Sequence, residues 1–144
     1  MRVLLLLLVL ALNACAAVQA PVQSPMQSPQ EAVDAFIAAL DRGDVNIAEL
    51  FAEEATVFFP ITNQPLRANG RAEIATAFAA LFGPNYRGGL PKPENLHVQD
   101  FGGTAVVTFQ NVNPNVTSRR TIVFRREAGR WLIVHLHGSN VRKD

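Results

Sequence analysis

The chain has 144 residues, 49% of them hydrophobic and 17% charged, enough for one compact domain with its own core. Thirteen basic against twelve acidic side chains leave a formal charge of +1, which supplies no electrostatic footprint for nucleic acid. The single cysteine, Cys15, excludes an intrachain disulfide and any cysteine-rich metal site.

Met1-Arg2 followed by the ten apolar residues Val3 to Leu12 has the layout of an export signal. The run is too short to cross a bilayer, which takes about 20 residues. Leu12-Asn13-Ala14-Cys15 resembles the bacterial lipoprotein box, with Asn13 departing from the usual small or aliphatic residue. Residues 1–15 are therefore read as an export signal with a lipobox-like end and Cys15 as the lipid attachment site. Ordinary cleavage after Ala16 is the alternative, and labelled palmitate lost in Cys15→Ala decides between them. Either route expects an exported protein, periplasmic or envelope-associated, with membrane contact only through an anchor at Cys15. Residues 16–29, rich in Pro, Ser and Gln, form a tether, and residues 30–141 form a single domain.

Ser28-Pro29-Gln30-Glu31 reads as a capping box, and Val33, Phe36, Ile37 and Leu40 then repeat at helical spacing up to Gly43. Asp44 can cap a second, short helix carrying Ile47, Ala48, Leu50 and Phe51. Thr56 to Pro60 is a strand, and Arg71 to Phe82 is a third helix with Ile74, Ala75, Phe78, Leu81 and Phe82 on its apolar face. After the Tyr86 to Pro93 loop the period changes to two. Leu96–Phe101, Thr104–Val112, Thr117–Glu127 and Arg130–His137 read as an antiparallel meander.

Three helices before a long sheet predict an α+β domain with the helices on one sheet face. Strict alternation puts Val106, Ile122, Phe124, Leu132, Val134 and Leu136 on one face, and Val107, Phe109, Val123, Trp131 and Ile133 on the other. Both faces are apolar although the helices can cover only one, so a second copy of the chain is expected on the other.

The order of elements, Thr56 to Pro60 and above all Gly-Arg-Trp-Leu-Ile-Val-His-Leu-His-Gly-Ser at residues 129–139 resemble the nuclear transport factor 2-like superfamily. Within it the chain resembles the SnoaL-like domains and the association (hub) domain of calcium/calmodulin-dependent protein kinase II. The resemblance implies a cone of three N-terminal helices on a curved antiparallel sheet, a pocket inside and assembly through the outer sheet surface. The arginines of the hub pocket would fall at Gln110, Ile122 and Gly138, so no anion site of that type is expected. The implied pocket is mostly apolar, with Phe36, Phe58, Ile74, Phe78, Ile122 and Leu136 inside and Tyr86, Gln110 and Asn140 as polar contacts. Val107, Phe109, Val123, Trp131, Ile133, His135 and His137 are assigned to a homodimer interface.

Zinc usually takes three protein ligands, and the pair His135 and His137 has no evident third, so no metal and no cofactor is expected. Arg119-Arg120 and Arg125-Arg126 are expected to split between the two sides of a hairpin and meet solvent or carboxylates on neighbouring strands. An isomerase needs a carboxylate in an apolar cone. Asp34 and Asp41 lie on the polar side of the first helix and Glu53 and Glu54 flank a helix end, which leaves Asp100 as the one candidate base. The leading expectation is an exported small-ligand-binding or accessory module. The alternatives are a SnoaL-like isomerase, cyclase or dehydratase acting on a cyclic carbonyl compound, and a hub-type assembly module.

Overall fold

The computed structural model describes Met26 and residues 28–60 and 67–143. The export segment, Cys15 and most of the tether lie outside the described residues. The first helix, α1, spans Pro29–Arg42. It starts as the capping box requires, with Ser28 Oγ accepting the Glu31 N–H at 3.2 Å, and it ends at Gly43 in the left-handed conformation. Glycine is needed there for a second reason, because a Cβ would stand 2.8 Å from the Tyr86 ring.

The expected second helix is a single 3-10 turn, Ile47–Leu50. Asp44 turns its carboxylate onto the Asn46 N–H, and the chain then extends, so Phe51 begins a strand instead of closing a helical stripe. The α-helices among the described residues are thus α1 and α2, Gly70–Leu81, the latter opened by Glu73 accepting the Asn69 N–H at 2.8 Å. The strands are β1 Phe51–Phe58, β2 Arg67–Asn69, β3 Glu94–Asp100, β4 Thr104–Val112, β5 Val116–Glu127 and β6 Arg130–Arg142.

These strands form one sheet in the order β2-β1-β6-β5-β4-β3. The meander is antiparallel as expected, but β1 runs parallel to β6, so the sheet is mixed. Its helix-covered face carries Phe51, Val57, Ala105, Val107, Ile122, Phe124, Ile133 and Leu136, all buried. Phe51 joins the layers, with its ring 6.0 Å from Phe36 of α1 and 5.9 Å from Phe78 of α2.

Two local features overturn the simple alternation. The β4–β5 turn makes Val112 face Thr117, which pairs Val107 with Ile122 and Val106 with Val123. Val107 and Phe109 therefore enter this chain's own core. In β6 the register slips, because Val123 faces His135 while Phe124 faces Ile133, leaving Val134 as an extra, bulged residue. Trp131 and Ile133 consequently sit on the Leu136 side of the sheet, and Trp131 is only 2% exposed. Val107, Phe109, Trp131 and Ile133 are removed from the expected interface, since the chain already buries them.

Candidate functional site

The helix-covered face closes imperfectly at one end, leaving a cavity of about 210 Å³. Phe36 and Leu40 of α1, Phe78 and Leu81 of α2, Phe59 and Pro60 past the end of β1, and Leu136 of β6 supply its apolar wall. An aromatic series holds that wall in place, with Phe59 5.4 Å from Phe78, Phe78 5.6 Å from Phe82 and Phe82 4.8 Å from Tyr86. Tyr86 and Leu90 belong to a strap, residues 83–93, that crosses the mouth.

The strap is fixed by backbone and side-chain bonds. The Tyr86 hydroxyl donates to the Leu40 carbonyl, Asp41 Oδ1 accepts the Leu90 N–H at 2.9 Å, and Asn111 donates to the Pro91 carbonyl at 2.6 Å. Burial and the neighbouring Asp41 charge push the Tyr86 hydroxyl above its ordinary pKa, so it remains a neutral donor. Behind the strap a second cavity of about 450 Å³ is lined by Asp34, Asp41, Lys92 and Leu96 among others, and Leu40 and Leu90 border both cavities.

Of the expected pocket residues, Phe36, Phe78, Tyr86, Leu136 and Asn140 meet at the cavity. Ile74 and Ile122 are fully buried core residues beside it. Phe58 and Gln110 belong to the opposite face. Phe58 pairs with His137, and its neighbour Phe59, one residue beyond β1, enters the cavity in its place. Gln110 pairs with Arg119 and lines a shallow cleft with Thr108 and Thr121.

That same register turns Arg120 inward, where it was not expected. Arg120 pairs with Phe109 on one side and Gly138 on the other, and it lines the cavity with Ser118 and Asn140. Gly138 makes the room: a Cβ there would stand 2.7 Å from Pro60 Cδ and 3.4 Å from Arg120 Nη1. The cavity thus gains a guanidinium from across the strand pair, beside the very position at which the hub comparison finds only glycine. Burial lowers its pKa. Ser118 Oγ and Asn140 Oδ1 lie 2.7 Å apart, and Asn140 Nδ2 donates to the Pro60 carbonyl at 2.9 Å. Alternation within β5 was the readable signal, because Arg120 lies two residues from Ile122 and four from Phe124 on one unbroken strand and so shares their face.

The exposed sheet face retains Val123, His135 and His137 from the expected interface. His135 Nδ1 lies 2.7 Å from Thr56 Oγ1, and Phe58 rests against both imidazoles with Arg67 5.7 Å from its ring centre. Burial foremost, then His137 and Arg67, hold His135 below its ordinary pKa. The unfolded chain therefore binds a proton at His135 more readily than the folded one, so stability contributed there is present above pH about 6.5 and is lost as pH falls through that value toward the depressed folded pKa. Denaturant midpoints across pH 5–8 are expected to show this loss, and His135→Gln is expected to flatten it. An unchanged profile in the variant would assign the pH dependence elsewhere.

Asp100 sits at the β3–β4 turn, exposed, accepting the Gly102 N–H at 2.8 Å. Its row passes through Phe124, six residues along β5 from Ser118, which at about 3.3 Å per residue puts it about 20 Å from the cavity. It is not placed to act as a base there. Among the described residues, Arg125 pairs with Glu54 and Glu127, as the charge pattern expected of an outward arginine, and no three His, Cys, Asp or Glu side chains converge as metal ligands.

The family model of the SnoaL-like domain matches residues 30–143. Among solved structures, the calcium/calmodulin-dependent protein kinase II hub from S. rosetta is 26% identical, over 78% of this chain and 93% of its own, with a TM-score of 0.61. A candidate association domain of the same kinase type from Thiobacillus denitrificans is 22% identical, covering 83% and 99%, with a TM-score of 0.67. A candidate ketosteroid isomerase from Parabacteroides distasonis is 20% identical, covering 83% and 92%, with a TM-score of 0.64. No curated protein matches.

Proposed function

The chain belongs to the SnoaL-like domain family, with the nuclear transport factor 2-like fold, and from that premise we propose that it is a small-ligand-binding module. The observation that carries this reading is the cavity: nine apolar or aromatic side chains converge on it, and no carboxylate is among the described residues that line it. An enolising isomerase needs a base at that place, and Asp41 of α1, which meets the strap, is engaged with the Leu90 N–H. Binding is therefore favoured over isomerase, cyclase or dehydratase chemistry. Native mass spectrometry of the protein purified from its own cells is expected to show a small bound molecule, absent after Leu136→Trp fills the cavity. A folded parent that carries no adduct and is not stabilised by any small apolar compound would count against the reading.

The same proposal places a second copy on the exposed sheet face. Phe58, at 37% exposure, and half-exposed Val106, Val123 and His135 form a partly apolar surface that a symmetric partner would cover. The relatives include hub domains, whose name denotes assembly. Light scattering should return twice the chain mass for the parent and a monomer for Val123→Asp. A monomeric parent at micromolar concentration removes the dimer.

A further inference from the structure

We infer that the cavity takes a small hydrophobic monocarboxylate, with the carboxylate held by Arg120 and the hydrocarbon body packed against Phe36, Phe59 and Phe78. This rests on the ligand-binding reading above and narrows it to a chemical class. The starting point is an imbalance of charge. Arg42, Arg71 and Arg125 have carboxylate partners, Arg67 lies over Phe58, and Arg119, Arg126, Arg130 and Arg142 are exposed to water. Arg120 is half-buried and has no ion-pair partner among the described residues; its one hydrogen bond there runs from Nη1 to the Arg119 carbonyl at 2.9 Å. A guanidinium carries five N–H donors in a planar fork, so most of that capacity is uncommitted on a side chain that lines the cavity. Taking a cation partly out of water costs free energy that an anion at the same place offsets.

The neighbours select against other ligand head groups. The Tyr86 hydroxyl is committed to the Leu40 carbonyl, and the Asn140 amide to the Pro60 carbonyl and the Ser118 hydroxyl. Arg120 is thus the one cation among the described lining residues and has uncommitted donors, so the ligand group opposite it must accept. A carboxylate fits the fork in a bidentate manner and brings one negative charge against one positive charge. A phosphate monoester would bring a second charge into an apolar cavity without a second cation to meet it. A cationic head would face Arg120 directly. The volume of about 210 Å³ equals roughly seven waters at about 30 Å³ each, which admits an acid the size of phenylacetate.

Titration calorimetry on the full chain with phenylacetate and with its neutral counterpart 2-phenylethanol tests this. The acid is expected to bind at least about tenfold tighter, the usual worth of a hydrogen bond to a charged group. That ratio should fall to about one in Arg120→Met and stay unchanged in Arg119→Met, whose side chain leaves the other face. Equal affinity for acid and alcohol in the parent overturns the carboxylate assignment while leaving ligand binding in place. Binding of neither overturns both. A ratio that survives Arg120→Met, or falls equally in Arg119→Met, removes Arg120 as the anchor. The parent's ratio decides the ligand class even if Arg120→Met does not fold.

Discussion

Replacing Phe51 with alanine is expected to cost about 3–5 kcal/mol of folding stability, the range for a buried phenylalanine whose site cannot collapse. The ring is fully buried at the start of β1, against Phe36 of α1 and Phe78 of α2, and its backbone faces Ile133 of β6. Three elements would have to move together to refill the space. The residue's carbonyl also accepts both Nε and Nη2 of Arg71, at 3.0 and 2.8 Å, so a backbone shift there would disturb a second anchor of α2. Domains of this size are stable by about 5–15 kcal/mol, so the variant should be close to unfolding. Urea unfolding should show a lowered midpoint with an unchanged slope. Phe101→Ala is the comparison, because that ring is 66% exposed and its removal should stay within about 0.5 kcal/mol. A cost below about 1 kcal/mol for Phe51→Ala would mean that the α1, α2 and β6 layers are not joined through this ring.

The features readable in the sequence are those written locally. The α1 capping box, the glycine stop at Gly43, the helix at Gly70–Leu81 and the four meander strands each depend on residues a few positions apart, and each is present. What alternation could not supply was phase. A bulge adds one residue without any compositional mark, and Val134 is as good a strand residue as its neighbours, so nothing in Trp131 to His135 announced the slip that separates the tryptophan from the histidines. The parallel pairing of Phe51 with Ile133 joins segments far apart in the chain, and only tertiary packing selects it. Phe58 and Phe59 exchange roles for the same reason, since pairing with His137 turns Phe58 outward. Of the six apolar residues expected in the pocket, Phe36, Phe78 and Leu136 line the cavity, Ile74 and Ile122 are core residues beside it, and Phe58 is on the other face. The pocket's single charge was missed although alternation within β5 puts Arg120 on the face of Ile122 and Phe124, because an arginine pair on a hairpin is ordinarily read as meeting solvent or carboxylates.

Gly88→Ala is expected to free the strap from α1 and open the cavity mouth. Gly88 has φ +63°, and a Cβ there would lie 2.2 Å from the Asp41 carbonyl oxygen, a backbone atom that cannot swing aside. The left-handed conformation alone costs an alanine about 1–2 kcal/mol, and the clash adds to it. Moving the strap by the ångström or more needed for relief would break the bond from the Leu90 N–H to Asp41 and strain that from Tyr86 to Leu40. Leu90 would then no longer stand between the two cavities it borders. Hydrogen exchange at the Leu90 amide should accelerate, and bound ligand should leave faster, with most of the change in the dissociation rate. Gly89→Ala separates the two causes. It has φ +73° and nothing within 4 Å of an added Cβ, so it carries the conformational cost without the clash. Equal exchange at Leu90 in the two variants would assign the effect to backbone conformation alone and leave the contact with Asp41 without a role. Faster exchange in Gly88→Ala would make the close approach of strap and helix the element that keeps the cavity closed.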